Sequence, residues 1–260
     1  MTRVISGVIL AAAALGAILF LPFTALRLVV CLVAGSAADE YVRITHRSRV
    51  GICRWLVIAA VIWMCWWAAV PAALSIVFMT IFVIAWLAIS MLGASRTIQE
   101  AAVDLVAPIY IGAPLGMLVA LHMVSGPKAP LLLIATIVVS DSAQYYTGRA
   151  FGRRPLAPAI SPKKTIEGAI GGVVFGALFM TMAISFVYPL TPIVVRILLG
   201  LVIVFLGIVG DLFESGLKRA AGIKDSSSII PGHGGVLDRI DALLFAIPVF
   251  YMMVLQGRVA

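Results

Sequence analysis

The run IVVRILLGLVIVFLGIVGDLF at residues 193–213 is followed at residues 215–241 by SGLKRAAGIKDSSSIIPGHGGVLDRID. The first run is apolar and long enough to cross a bilayer core, which needs about 20 residues. The second run places basic side chains before a glycine-rich turn and two carboxylates, Asp238 and Asp241, after it. On a helix that begins just after Gly235, residues at this spacing project from one face and can share a cation. Carboxylate and phosphate oxygens are the usual ligands of magnesium.

The composition places this chemistry in a membrane. Of the 260 residues, 63% are hydrophobic and 12% are charged, which is typical of an integral membrane protein rather than of a soluble domain. We therefore predict an all-α, polytopic fold with about nine transmembrane helices and a polar site that faces the cytoplasm. The second predicted span is short and contains Arg27, and the first is interpreted as a retained helix rather than a signal peptide. The predicted spans are residues 4–21, 24–38, 53–70, 71–92, 106–124, 129–148, 167–188, 193–213 and 237–255.

The domain organisation and topology follow from these spans. Little chain remains for a soluble domain, so residues 1–260 are treated as one transmembrane domain, with N-terminal helices of unassigned role at 1–92 and catalytic helices and loops at 93–260. Most of the 19 basic residues fall in the loops after the second, fourth, sixth and eighth spans. Cytoplasmic loops are enriched in Lys and Arg, so we predict a cytoplasmic N-terminus, cytoplasmic site loops and an outside C-terminus. No long polar segment precedes the first span, which favours a prokaryotic cytoplasmic membrane.

The loop after the sixth span reads SDSAQYYTGRAFGRRPLAPAISPKKTIEG at residues 140–168. It carries five cations, and a helix is predicted to start near Glu167. Backbone amides at helix starts and Lys or Arg side chains stabilise phosphate oxygens, so this loop suits a polyphosphate. We predict that Lys163 and Lys164 bind phosphate groups.

Structural alternatives stay open for neighbouring residues. Thr165 is also a typical N-cap residue for the helix that follows it. The basic loop after the second span is interpreted as a topology signal. Small residues can simply permit close helix packing, and this alternative applies to Gly168, Gly171, Gly172 and Gly176.

Several acidic residues gather at the predicted cytoplasmic ends of the sixth, eighth and ninth spans. A carboxylate inside a bilayer costs at least ~2.5 to 3.5 kcal/mol on insertion scales, so such residues usually face a polar cavity and a partner. Ion pairing to Lys218, Arg219 or Arg239 is the structural alternative. Beside two basic loops, a metal and phosphate site is the interpretation that we favour. The residues are Asp141, Asp211, Glu214, Asp238 and Asp241.

The polar stretch also carries a resemblance. The sequence GDLFESGLKRA at 210–220, then Lys224-Asp225, then PGHGGVLDRID at 231–241, resembles the pattern of the phosphatidate cytidylyltransferase family, also called CDP-diacylglycerol synthases. The resemblance extends over essentially the whole chain, and its specific motifs lie in the second half. Other matching positions are Glu40, Ser140-Asp141, Gly148-Arg149 and Ser161–Thr165. Mild departures from the pattern occur at Gln144, Arg153 and Ile166.

The resemblance implies that CTP and phosphatidate react to give CDP-diacylglycerol and diphosphate. It implies magnesium as the cofactor, with a potassium ion as a second candidate, and it suggests a homodimer. The partners are then CTP, phosphatidate and the lipid bilayer, without nucleic acid. The implied metal ligands are Asp211, Asp238 and Asp241. The implied catalytic residues are Asp211, Lys218, Arg219, His233, Asp238 and Asp241. The implied substrate-binding residues are Asp141, Arg149, Ser161, Lys163, Lys164, Thr165, Ser215, Lys224, Asp225, Gly234, Gly235 and Arg239.

Some alternatives remain open at this stage. His233 either acts on a phosphate or a proton, or makes a structural hydrogen bond. A related CTP-dependent lipid enzyme, of the polyprenol kinase or CDP-archaeol synthase type, would share the membrane placement and is separated by its products. A transporter is a more distant alternative, because the chain has no convincing inverted repeat and its charges cluster at one membrane face instead of the midplane.

Overall fold

The computed structural model describes residues 2–46, 52–68, 80–82, 84–86, 97–223, 226–227 and 234–259. These residues are almost entirely helical, which confirms the predicted all-α class. A π-helical turn at Pro108–Gly112 joins α4 to α5, and a 3-10 turn at Ile184–Phe186 follows α7. The helices are α1 (Thr2–Phe20), α2 (Phe23–Thr45), α3 (Ile52–Trp67), α4 (Ile98–Ala107), α5 (Ala113–Ser125), α6 (Lys128–Phe151), α7 (Ile166–Ala183), α8 (Ile193–Ala220) and α9 (Leu237–Leu255). Between α6 and α7 lie the strands β1 (Pro155–Ala157) and β2 (Ser161–Thr165).

The chain forms two compact units. Unit 1 comprises Met1–Met123 and Asp225–Leu237, and unit 2 comprises Val124–Lys224 and Asp238–Ala260. Unit 1 therefore holds α1 to α4, α5 as far as Met123, and the segment that leads into α9. Unit 2 holds α6, the β1–β2 hairpin, α7, α8 and α9 from Asp238 onward. The predicted single domain, divided after residue 92, stays a prediction.

In unit 1, the segment that joins α4 to α5 and the first turn of α5 pack against the backbone of α3. A Cβ on Gly112 would lie 2.6 Å from the Val61 carbonyl oxygen, and one on Gly116 would lie 2.4 Å from the Cys65 carbonyl oxygen. Only glycine permits these distances. The charge of the short second predicted span is also accommodated here, because the Arg27 guanidinium lies 3.8 Å from the ring centroid of Trp66 on α3.

In unit 2, α6 and α7 pack through the glycine face of α7. A Cβ on Gly171 would lie 2.2 Å from Thr147 Oγ1, and one on Gly172 would lie 2.3 Å from Gln144 Cγ. Gly176 likewise lies against Ser140 and Val204. The structural alternative for these glycines is therefore confirmed, since small residues allow the two helices to approach closely.

The described helices agree with the predicted spans except at three ends, because the fifth span begins at Ile98 and not at residue 106, and two others end later than predicted. Three helical stretches in the described residues are long and apolar enough to cross a bilayer, Ile98–Ser125, Ile166–Phe186 and Ile193–Ala220. The fourth predicted span, 71–92, lies largely outside the described residues, and the count of nine spans stays a prediction. Two helices continue beyond their predicted ends, α2 to Thr45 and α8 to Ala220. Their added turns are charged, so the apolar run ends before the helix does.

Adding a methyl group at Gly171 should weaken the α6–α7 contact. The new Cβ would overlap Thr147, whose β-branched side chain has few rotamers into which it can move. We expect Gly171→Ala to destabilise the protein by about 1–3 kcal/mol, the usual penalty of overpacking. The matched control is Gly16→Ala in α1, where a Cβ meets nothing within 4 Å. Thermal unfolding in detergent measures both variants, and equal midpoints would contradict the packing role of Gly171.

Candidate active site

The close approach of α8 and α9 brings the polar residues of unit 2 together. A Cβ on Gly210 would lie 2.5 Å from the Asp241 carbonyl oxygen, so the glycine before Asp211 is what lets the helices meet at this level. The helix predicted to begin just after Gly235 is α9, which starts at Leu237 and carries both Asp238 and Asp241. The two aspartates nevertheless contact different partners, so their side chains belong to two clusters.

The first cluster, called the Lys164 cluster, consists of Asp141, Lys164, Asp211, Ser215 and Asp241. Lys164 Nζ pairs with Asp211 Oδ2, and Ser215 Oγ donates to Asp211 Oδ1 at 3.5 Å. The carboxylates of Asp141 and Asp241 both interact electrostatically with Asp211 and with Lys164. Asp241 is 8% exposed, and its Oδ1 accepts a hydrogen bond of 2.7 Å from the next backbone N–H along the chain. The Lys164 ammonium group thus pairs with Asp211, and the carboxylates of Asp141 and Asp241 lie near enough to interact with it electrostatically.

The β1–β2 hairpin delivers Lys164 to this cluster. The strands are antiparallel, with Pro155 opposite Thr165 and Ala157 opposite Ser161. Successive side chains of a strand point to opposite faces, so the adjacent Lys163 and Lys164 separate. Lys164 turns toward Asp211, whereas Lys163 is exposed. The two lysines that the sequence treats as a pair therefore have different environments.

The second cluster, called the Lys218 cluster, consists of Glu214, Lys218 and Asp238. Lys218 Nζ lies 2.5 Å from Asp238 Oδ1 on α9 and also pairs with Glu214 Oε2, one turn earlier on α8. The Glu214 side chain is fully buried and that of Lys218 is 11% exposed. The predicted ion pairing of these residues is present, and it ties the last turns of α8 to the first turn of α9.

The charges of the two clusters do not balance. Their five carboxylates face three cations, the ammonium groups of Lys164 and Lys218 and the guanidinium of Arg239, which interacts electrostatically with Asp141. Excess carboxylate in partly buried surroundings favours a bound cation, and oxygen donors suit magnesium. Among the residues that the structure describes, no three His, Cys, Asp or Glu side chains converge in metal-binding geometry. Magnesium usually takes one or two protein carboxylates and completes its shell with water and phosphate oxygens, so the donors fit an ion shared with a bound phosphate.

One protein-family model matches nearly the whole chain. The model of the cytidylyltransferase family matches residues 1–256. The chain belongs to this family. Similar curated proteins are phosphatidate cytidylyltransferases of Aquifex aeolicus, 44% identical over 128 residues, of Pseudomonas aeruginosa, 47% over 128 residues, and of Thermotoga maritima, 37% over 172 residues. The aligned parts cover 49%, 48% and 64% of this chain and 48%, 47% and 64% of those proteins. The chain thus spans about half of the first two relatives and under two thirds of the third.

Two residues that the family resemblance singles out have structural contacts here. Thr165 is the N-cap of α7, and its Oγ1 accepts a hydrogen bond of 3.1 Å from Gly168 N, as the structural alternative predicted. Arg219 Nε donates to the Ile160 carbonyl oxygen and Nη1 to the Ile223 carbonyl oxygen, each at 3.0 Å. Arg219 therefore joins the end of α8 to the β1–β2 hairpin. A phosphate contact of either residue stays a prediction.

The remaining substrate-binding candidates lie at several places in the fold. Arg149 is exposed near the end of α6, and its Nη1 donates to Tyr145 Oη at 3.3 Å. Ser161 begins β2, and the exposed Arg239 interacts electrostatically with Asp141. Gly234 and Gly235 lie in unit 1, just before the start of α9. The candidates Lys224, Asp225 and His233 lie outside the described residues, so their roles stay predictions.

Glu214 belonged to the predicted acidic group, whereas two other polar residues with clear partners, Gln144 and Glu40, were not among the predicted site residues. Glu214 had a sequence signal, its i,i+4 spacing to Lys218. Gln144 Nε2 donates to Asp141 Oδ1 at 3.0 Å, an i,i+3 contact on α6. Glu40 matched the family, but the sequence alone assigns it no contact, because its partners follow it by about 190 positions.

Proposed function

We propose that the protein is a phosphatidate cytidylyltransferase, which converts CTP and phosphatidate to CDP-diacylglycerol and diphosphate in phospholipid biosynthesis. The observation that carries the proposal is the Lys164 cluster, in which an ammonium group from a basic hairpin joins three carboxylates from α6, α8 and α9. Family membership and the names of the bacterial relatives support the same reaction.

The proposed reaction is a displacement at the α-phosphorus of CTP. A phosphate oxygen of phosphatidate forms the new P–O bond, and the bond from the α-phosphorus to the bridging oxygen of diphosphate breaks, with the electron pair leaving on diphosphate. The attacking phosphate is already an anion, so no covalent protein nucleophile is needed. The protein orients two anions and stabilises the spreading negative charge, which is where Lys164 and Lys218 act, while the exposed Lys163 attracts the anionic substrates.

Magnesium is the proposed cofactor. Asp211 and Asp241 would hold it, with Asp238 as the third predicted ligand, and when bound it would neutralise phosphate charge and orient the α-phosphate. The excess of carboxylates over Lys and Arg cations supports this assignment. Potassium, implied by the resemblance as a second ion, stays a prediction without a residue assigned to it.

Product analysis tests the proposed function. Purified protein is incubated with phosphatidate, magnesium and CTP labelled either at the cytidine or at the γ-phosphate. We expect the cytidine label in the lipid and the γ-label in diphosphate. Transfer of the γ-label to the lipid with release of CDP would identify a kinase instead. Product formed from an archaeol phosphate but not from phosphatidate would point to the CDP-archaeol synthase type.

We also propose that the protein is a homodimer with about nine spans in a bacterial cytoplasmic membrane, with the N-terminus and site loops cytoplasmic and the C-terminus outside. The apolar helices, the bacterial relatives and the charge bias of the loops support this arrangement. CTP is a cytosolic, membrane-impermeant polyanion, so the hairpin that carries Lys163 and Lys164 has to face the cytoplasm.

Thiol labelling tests the sidedness. Ala159, in the turn between β1 and β2, and Leu190, between α7 and α8, are both exposed and lie beyond opposite ends of α7. In a variant without Cys31, Cys53 and Cys65, we expect Ala159→Cys to react with an impermeant reagent only after the cells are opened. Leu190→Cys is the matched control and should react in intact cells. Labelling of Ala159→Cys from outside would overturn the topology.

A further inference from the structure

Glu40 is a buried carboxylate to which the described residues supply four hydrogen-bond donors. It lies on α2 and has no exposed surface. Its Oε1 accepts from Ser227 Oγ at 2.6 Å and from Val236 N at 2.9 Å. Its Oε2 accepts from Ser226 Oγ at 3.1 Å and from Leu237 N at 2.8 Å. Each oxygen thus receives one hydroxyl and one backbone amide.

These donors explain how a carboxylate is kept in the interior of unit 1. A buried charge is strongly unfavourable unless hydrogen bonds satisfy it. The amides of Val236 and Leu237 are the groups that a helix start leaves without an intrahelical partner, because α9 begins at Leu237. A negative charge is also favourable at a helix N-terminus. Glu40 therefore caps α9 from a distant part of the sequence.

The glycine pair before α9 fits this contact. A Cβ on Gly235 would lie 2.3 Å from Glu40 Oε2 and 1.9 Å from Ser226 Oγ, so any side chain would displace the carboxylate. Gly234 has φ +80°, a conformation that L side chains rarely adopt. Both glycines were predicted to bind substrate. Here Gly235 makes room for Glu40, and Gly234 supplies the turn that leads to it.

We propose that Glu40 is a positioning residue of the cytidylyltransferase reaction, which holds the start of α9 so that Asp238 and Asp241 are presented in a fixed register. The inference rests on the proposed function. Asp238 directly follows Leu237 and lies in the first helical turn, which frays when its amides lose their cap. Asp241 lies almost one turn further on and depends on the same helix start. A change of register by one residue rotates both carboxylates by about 100° around the helix axis.

Glu40→Gln is the sharpest test because it keeps the size of the side chain. In either orientation of the Gln amide, its NH₂ group faces the backbone N–H of Val236 or of Leu237. Both groups are donors, so one of the two hydrogen bonds to the start of α9 is lost. We expect kcat to fall about 10- to 100-fold, as for other residues that orient a ligand, while the KM for CTP changes by less than about threefold. The magnesium requirement should rise with the loss of turnover.

Asp39→Asn is the matched control. Asp39 is the neighbouring carboxylate on α2, but its partners are Arg43, at 2.9 Å, and Arg54. We expect its turnover to stay within about twofold of the wild type, because its partners lie on α2 and α3 and not at the start of α9. Equal losses in Asp39→Asn and Glu40→Gln would overturn the proposal, since they would reflect general damage to α2.

Hydrogen exchange separates positioning from stability. In Glu40→Gln, the amides of Val236 and Leu237 should exchange faster, while those in the middle of α8 keep the wild-type rate. If Glu40→Gln does not fold, the double variant Ser226→Ala and Ser227→Ala removes two donors and should show a smaller change in the same direction. Unchanged exchange of the Val236 and Leu237 amides in Glu40→Gln would refute the proposal that Glu40 holds the start of α9. Hydrogen exchange needs no substrate and therefore tests the role of Glu40 at the start of α9 independently of the reaction. If the wild-type protein were inactive with CTP and phosphatidate, the proposed function would be wrong, but the exchange result would still stand.

Discussion

Replacing Asp241 or Asp211 by Asn is expected to reduce turnover more than any other single change in the described residues, by about 10²–10³-fold. Asn keeps the size of the side chain but removes the charge. Each change leaves the Lys164 cluster with two carboxylates for its one ammonium group. The site needs a bound cation to attract the two anionic substrates. With one carboxylate fewer, that cation is bound more weakly.

Turnover measured over a range of magnesium concentrations checks this prediction. We expect the half-maximal concentration to rise in both variants, and binding of Mn²⁺ in the presence of CTP, followed by its spectroscopic signal, to weaken in parallel. Asp238→Ala should also lose turnover, because it releases Lys218 from its partner on α9. Asp39→Asn serves again as the control. Near-normal activity of Asp241→Asn at limiting magnesium would remove Asp241 from the metal assignment.

Replacing Lys164 by Met is expected to reduce turnover about 100-fold, whereas Lys163→Met should change it only a few-fold. Lys164 pairs with Asp211 inside the cluster, while Lys163 is exposed on the hairpin. A cation beside the reacting phosphates stabilises the charge that develops there. A cation at the surface, such as Lys163, mainly raises the local concentration of the anionic substrates. Salt screens this attraction, so the effect of Lys163→Met should diminish at high salt.

Steady-state kinetics with CTP and phosphatidate varied separately distinguishes the two lysines. We expect Lys164→Met to lower kcat and Lys163→Met to raise a KM. Lys164→Arg should not restore the rate, because a planar guanidinium does not replace a compact ammonium group in this partly buried pair. Equal and small effects of the two Met variants would reduce the hairpin to a topology signal.

The predicted helix bounds agree best with the structure where one apolar period or one short motif specifies them. The start of α9 at Leu237 was predicted from the glycine-rich turn and the spacing of Asp238 and Asp241, and its end at residue 255 was predicted from the apolar run. The end of α8 was predicted too early. Its last turns carry Glu214, Lys218 and Arg219, and apolar periodicity does not detect a helix whose exposed or site-facing side chains are charged.

The amino-acid sequence by itself determined the helical class, the apolar segments, the family and the residue types of the site, because these depend on composition, local periodicity and short motifs. Only the tertiary structure decided which side chains meet. It separates Lys163 from Lys164 through strand alternation, and it divides Asp238 and Asp241 between two clusters. It also brings Glu40 to the amides of Val236 and Leu237. These contacts join residues tens to nearly two hundred positions apart, and their geometry depends on how whole helices pack, which no local pattern specifies.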